Sequence, residues 1–281
     1  MNVLPYTKYH GCGNDFVIVH ENWIDPSKID ASWIEAICDR HTGIGADGFI
    51  IVKEHPLEMI YYNQDGSRAP MCGNGIRCFS QFCLDEHIID TPSFSVQTLA
   101  GEKVVYVQDD GRFQVDLGLP DLEPAKCALK APIWNYDYKG LRLYTLFMST
   151  IHTVVFVDDA FMDIEKIGQE ICESSLFPEQ TNVNFVQIVD DRHLRVQTYE
   201  RGCGVTLACG TGVCASAYVA YQEKGCLNKL NVTMKKGSLD IEIDENRRVW
   251  MRGPAVKIAK GEYYESYNDQ RIDRSLDHSI P

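Results

Sequence analysis

No stretch of the 281-residue chain approaches the roughly 18–20 consecutive apolar residues of a membrane-spanning helix. The opening residues, MNVLPYTKYHGCGNDF, hold neither a basic stretch nor an apolar one, so no secretory signal is read and a cytoplasmic location is expected. Positive charge is scarce: 27 Lys and Arg stand against 40 Asp and Glu, a formal net charge of −13. That balance argues against non-specific nucleic-acid binding and against an anionic membrane surface. The 11 cysteines include no Cys-x-x-Cys pair. Their odd number and irregular spacing argue against a secreted disulfide framework. Zinc at Cys203, Cys209 and Cys214 would need a ligand spacing that is missing, so no metal is expected. Cys38, Cys83 and Cys172 fall on apolar helix faces as small buried hydrophobes.

What is present is one turn written twice. Met71-Cys72-Gly73-Asn74-Gly75-Ile76-Arg77-Cys78 is echoed much later by Ala208-Cys209-Gly210-Thr211-Gly212-Val213-Cys214. Each reads as a turn that delivers a cysteine to the first turn of a helix. Glycine lets the backbone approach a ligand closely. Unpaired N–H groups at a helix start suit an anion, and the same field favours a thiolate over a thiol.

The flanking chain repeats as well. The Gly11-Cys12-Gly13 turn would present Asn14 at the head of a strand over 14–20. A helix over 31–40, strands at 48–53 and 58–63, the Cys72 turn, a helix over 74–86 and three strands between 94 and 117 follow. A strand at 152–157, a helix at about 161–173, strands at 183–189 and 194–199, the Cys209 turn with a helix to about 224, and strands at 229–234, 239–243 and 247–252 take the same order. Residues 118–140, with Pro120, Pro124 and Pro132 and no clear period, read as a linker. The expectation is an α/β (α+β) protein of two pseudo-symmetric domains, 1–118 and 119–262. Each would be mostly sheet with two helices. The Cys209 helix is apolar nearly all round, which calls for enclosure by curved sheet.

Matched cysteine turns could serve redox, metal or acid–base chemistry. A redox pair usually sits close in sequence. Two distant thiols on facing helix starts suit something else: a thiolate removes a proton from carbon, and a thiol on the other face returns one. This inverts a stereocentre without a cofactor. The α-proton of an amino acid is a poor acid, so the charge that develops on its carboxylate must be stabilised, and fixed N–H donors at two helix starts suit that task. Nine residues before each cysteine a polar residue ends a strand: Asn63 and Glu200. Arg201 follows Glu200, and the two could bind the amine and carboxylate of an amino acid. A surface ion pair is the competing reading.

These residues resemble the diaminopimelate epimerases, which work without pyridoxal phosphate. The resemblance rests on HGCGNDF, GIGADG at 43–48, NQDGS at 63–67, MCGNGIRC, TNVNFVQ at 181–187, YERG at 199–202 and ACGTG, in order over nearly the whole chain. It implies two similar domains, each a barrel-like sheet wrapped on a central helix, with the active site in the cleft between them and residues 263–281 returning to the first domain. It implies Cys72 and Cys209 as the acid/base pair, and the amides of Gly73, Asn74, Gly210 and Thr211 as the hold on the reacting carboxylate. Asn14, Asn63, Asn182, Glu200 and Arg201 would bind the substrate, Arg201 and the asparagines chiefly at its distal end. The implied reaction is LL-2,6-diaminopimelate to the meso form, with no cofactor, on the route to lysine and peptidoglycan; a homodimer is left open. One departure bears on the substrate. The family commonly carries Gly-Asn-Pro-His or Gly-Val-Pro-His before the first strand of the second domain, and this chain has Ser149-Thr150-Ile151-His152. Thr150 is shorter than the usual asparagine. His152 is either an aid to proton traffic or a structural histidine. The alternatives are the same chemistry on another amino acid, or a non-catalytic or redox protein on this fold.

Overall fold

The computed structural model of the chain describes residues 3–264. Its first part runs β1 (Val3–Gly11), β2 (Asn14–His20), α1 (Ala31–Cys38), β3 (Gly48–Lys53), β4 (Glu58–Asn63), α2 (Gly73–Asp85), β5 (Ser93–Val96), β6 (Lys103–Val107) and β7 (Phe113–Gly118). The second runs β8 (Trp134–Tyr138), β9 (Leu141–Phe147), β10 (Ile151–Phe156), α3 (Glu165–Cys172), β11 (Asn182–Ile188), β12 (His193–Glu200), β13 (Gly204–Thr206), α4 (Gly210–Glu223), β14 (Lys229–Met234), β15 (Gly237–Ile243) and β16 (Val249–Gly253). A last strand, β17 (Val256–Tyr264), follows.

The chain repeats its connections. β2 and β3 are parallel across α1, and β10 and β11 are parallel across α3. Such strands are covered on both faces and read as continuous apolar runs. Phe49-Ile50-Ile51-Val52 is buried throughout, with α1 outside and α2 inside. Each inner helix is wrapped by sheet: α2 touches β1–β4, β7 and β17, and α4 touches β9–β12 and β14–β16. Ile76, Phe79 and Phe82 of α2 and Val213, Ala217 and Val219 of α4 belong to one core shared by both parts. α1 and α3 close two smaller cores outside it.

Two crossings tie the parts together. β7 pairs antiparallel with β16, which joins two meanders into one sheet of 12 strands. β17, leaving the second meander, lies antiparallel on β1, while β8, leaving the first, lies antiparallel on β9. The remaining sheet has the order β17-β1-β2-β3-β4. Among the described residues no helix is long and apolar enough to cross a membrane.

Five strands were not expected: β1, β8, β9, β13 and β17. Residues 118–140 are therefore not a plain linker. β8 is an edge strand with three of its five residues exposed, so it needs no apolar alternation. The turn Lys139-Gly140 takes φ of 53° and 86°, the left-handed pair that fits a tight hairpin. α3 begins at Glu165 rather than 161, where the Asp163 side chain accepts the Glu165 N–H at 3.1 Å. The return to the first part begins at Val256, ahead of residue 263. Beyond Tyr264 the expected tail lies outside the described residues.

Candidate active site

Cys72 and Cys209 occupy the same position on their helices. Each is the N-cap, with extended backbone (φ −132° and −119°), and its carbonyl accepts the first helical hydrogen bond, from Ile76 and Val213, both at 2.9 Å. The Cys72 sulfur also accepts the Gly75 N–H at 3.4 Å. The glycines after each cysteine let the two starts meet. A Cβ on Gly73 would lie 3.8 Å from the Gly210 Cα, and one on Gly210 would lie 3.6 Å from the Gly73 Cα. The end of Met251 fills the angle, 3.1 Å and 3.2 Å from those two positions. A larger residue at either place would press on Met251, whose end would have to give. The first-turn amides of Gly73, Asn74, Gly210 and Thr211 have no acceptor inside their own helix.

A network surrounds each sulfur. On the first side, Asn14 Oδ1 accepts from the Cys72 thiol at 3.8 Å and from Asn74 Nδ2 at 3.2 Å, while its own amide donates to Asp47 Oδ2 at 2.8 Å. Asn74 Nδ2 also reaches the carbonyl of Ala208, the residue before Cys209, at 3.1 Å. On the second side, Thr211 Oγ1 lies 3.6 Å from the Cys209 sulfur and 3.0 Å from His152 Nε2. Asn184 fixes the histidine tautomer. Its Oδ1 accepts from Thr198 at 2.9 Å, so its Nδ2 faces the Thr153 carbonyl (3.3 Å) and His152 Nδ1 (3.2 Å). The ring proton is then on Nε2, donated to Thr211, and the threonine hydroxyl is left to donate to sulfur.

Charges in the site are displaced from their usual values. Burial pushes the Cys72 thiol up to about 11; the N–H groups of Gly75 and Asn74 and the Arg77 charge oppose the rise, and Glu200 adds to it. The Cys209 thiol, 8% exposed, is driven well above its ordinary value by burial and then by Glu200. Burial also raises Glu200, against hydrogen bonds from Thr206 (2.6 Å) and from Cys209. His152 is fully buried and lowered to about 3, by burial and then by Arg201, so it is neutral at physiological pH.

The remaining expected residues divide. Asn182 Oδ1 accepts the Arg201 N–H at 3.0 Å, and the Arg201 guanidinium donates to the Glu179 carbonyl (2.9 Å) and to Thr150 Oγ1 (3.2 Å). Asn63 is held locally, by Tyr61 at 2.8 Å and Ser67 at 3.0 Å, with no hydrogen bond to the other candidates. Asn184, Thr198, Asp47 and Arg77 were not singled out. Asn184 had a signal: it lies two residues from Asn182 on one strand, and so on the same face. Among the described residues no group of three His, Cys, Asp or Glu could hold a metal ion.

With this geometry in place, the family model described as diaminopimelate epimerase matches residues 6–123 and 144–258. The chain belongs to the diaminopimelate epimerase family. A diaminopimelate epimerase of Alkaliphilus metalliredigens is 36% identical over 278 residues, covering 94% of this chain and 98% of that one. One of Prochlorococcus marinus is 38% identical over 277 residues, covering 92% and 98%. Among solved structures, a Bacillus anthracis phenazine biosynthesis protein of the PhzF family superposes with TM-score 0.67 at 16% identity, covering 93% of this chain and 99% of that one. A hydroxyproline epimerase of Agrobacterium vitis, solved with bound trans-4-hydroxy-L-proline, gives 0.64 at 12% identity, covering 93% and 92%. At those identities the likeness is one of fold: two pseudo-symmetric domains, with mostly sheet and four α-helices among the described residues.

Proposed function

We propose that the chain converts LL-2,6-diaminopimelate to the meso form by a two-base mechanism, with Cys72 and Cys209 on opposite faces of one α-carbon. The observation that carries the reading is the meeting of two cysteine-capped helix starts at Gly73 and Gly210. The relatives above carry diaminopimelate in their names. In this reading one sulfur, as thiolate, takes the α-proton. The negative charge spreads onto the carboxylate, held by the amides of Gly73, Asn74, Gly210 and Thr211. The other sulfur delivers its proton to the opposite face, and the pair ends with its protonation reversed. Burial makes both thiols weak acids. A substrate ammonium beside Glu200 supplies the positive charge that brings one of them toward thiolate. The pair titrates as a unit.

Arg201, steadied by Thr150, Glu179 and Asn182, suits the distal carboxylate of a dicarboxylic amino acid. The same arrangement motivates a second reading, inversion of another amino acid, because the Thr150 hydroxyl is engaged by Arg201 where the family commonly has asparagine. Residues 1–118 and 119–262 are the two working halves in either case. A cytoplasmic place in lysine and peptidoglycan-precursor synthesis goes with the first reading.

The test is epimerisation in deuterium oxide, under reducing conditions, without added cofactor. The LL and meso forms should interconvert with deuterium entering at the α-carbon. Cys72→Ala and Cys209→Ala should each lose about 10²–10⁴-fold or more. Full turnover by either variant would end the two-base reading. Turnover of a monocarboxylic amino acid, with none of diaminopimelate, would favour the second.

A further inference from the structure

Arg77 is a cation with no exposed surface and, among the described residues, no ion pair. Buried charges are ordinarily paired, because desolvation is costly. Its fork is satisfied by neutral acceptors alone: Nε donates to the Pro254 carbonyl (3.1 Å), one terminal nitrogen to the Gly73 carbonyl (2.9 Å) and the Met251 sulfur (3.4 Å), and the other to Asn74 Oδ1 (2.9 Å). Two glycines make room for it. A Cβ on Gly11 would come within 2.9 Å of the guanidinium, and one on Gly253 within 3.1 Å. The arginine thus sits under the meeting point of α2 and α4, at the seam between the two parts, where the site above it gathers anions.

We propose that Arg77 is a positioning residue: its unpaired charge biases Cys72 toward thiolate, and its fork fixes Asn74 as the tie between the two helix starts. This rests on the two-thiol reading above. Asn74 accepts from Arg77, which turns its amide toward Asn14 and the Ala208 carbonyl. Around Cys72 the other titratable groups are Tyr61 on β4, Glu200 on β12, Cys209 at α4 and Cys78 on α2; the Arg77 charge also faces Cys78, Cys12 in the turn between β1 and β2, and Cys214 on α4, thiols that burial raises. Glu200 opposes ionisation of Cys72 and Arg77 supports it.

The experiment is the pH profile of iodoacetamide alkylation at Cys72, followed by peptide mass spectrometry, for the wild type, Arg77→Gln and Arg77→Lys. Native fold is checked by circular dichroism. Arg77→Gln should shift the Cys72 alkylation profile to higher pH. Arg77→Lys keeps the charge and loses the fork, so its profile should stay in place while kcat/KM falls. Superimposed profiles for Arg77→Gln and wild type would overturn the proposal, as would a lysine variant shifted as far as the glutamine one. If Arg77→Gln fails to fold, Arg77→Met takes its place: an upward-shifted profile supports the role of charge, and one superimposed on the wild type overturns it. Alkylation reads the thiol and not turnover. A shifted Arg77→Gln together with an active Cys72→Ala would therefore end the two-base reading and leave the action of Arg77 standing.

Discussion

At His152 a single proton bears on stability. Its folded-state pKa is about 3, set first by burial and then by Arg201, against about 6.5 in an unfolded chain. The folded value is the lower one, so the unfolded chain binds the extra proton. The stabilisation is therefore complete above about pH 6.5 and is lost as pH falls toward 3, at up to about 1.4 kcal/mol per unit. Melting of the wild type should fall more steeply between pH 7 and 5 than melting of His152→Gln, by about 2 kcal/mol or roughly 4 °C at pH 5. Parallel curves would mean that the histidine titrates alike in both states. The sequence left this residue between two roles, because its partners come from two other elements, Asn184 on β11 and Thr211 on α4, and Asn184 is itself oriented by Thr198 on β12. Cys72 and Cys209 were legible because each carries its own local turn. Arg77 was quoted within MCGNGIRC, yet nothing in sequence says that a surface-seeking residue type is sealed beneath its own helix start.

At the scale of elements, the two caps make a redox prediction. Two cysteines whose helices meet at Gly73 and Gly210 stand where a crosslink is feasible. Mild oxidation should join Cys72 to Cys209 and stop turnover, and a thiol reductant should restore it. Oxidised protein with that pair mapped as a disulfide and full activity would refute the prediction. The elements that hold the site were readable where burial imposes a period. β3, β4 and β14 have the bounds read from sequence, and α2 and α4 differ by a residue at most. The unread strands carry weaker signals. β8 and β17 are edge strands with most side chains exposed, and what defines them is a backbone partner far away in sequence.

For the whole molecule, β17 is the strap between the two parts. It covers β1 along its length and adds ion pairs from Lys257 to Asp85 and from Lys260 to Glu86, both at 2.6 Å. Ending the chain after Ala255 should strip hydrogen-exchange protection from the β1 amides and promote aggregation through the bared edge, while β10–β12 stay protected. Undiminished protection in β1 would show that this strap is dispensable. The same pairing bears on how the protein is made. Val3 finds its partner in Tyr264 and Lys8 in Ala259, so the opening strand emerges from the ribosome long before its neighbour is synthesised. At about 5–20 residues per second the wait is on the order of 10–50 s. For that interval one side of the nascent sheet is an open template for a stranger. The opening strand carries Pro5, which donates no backbone hydrogen bond to a strand laid beside it. At that proline a foreign strand would find one hydrogen bond fewer to make, in the interval before residues 256–264 are synthesised.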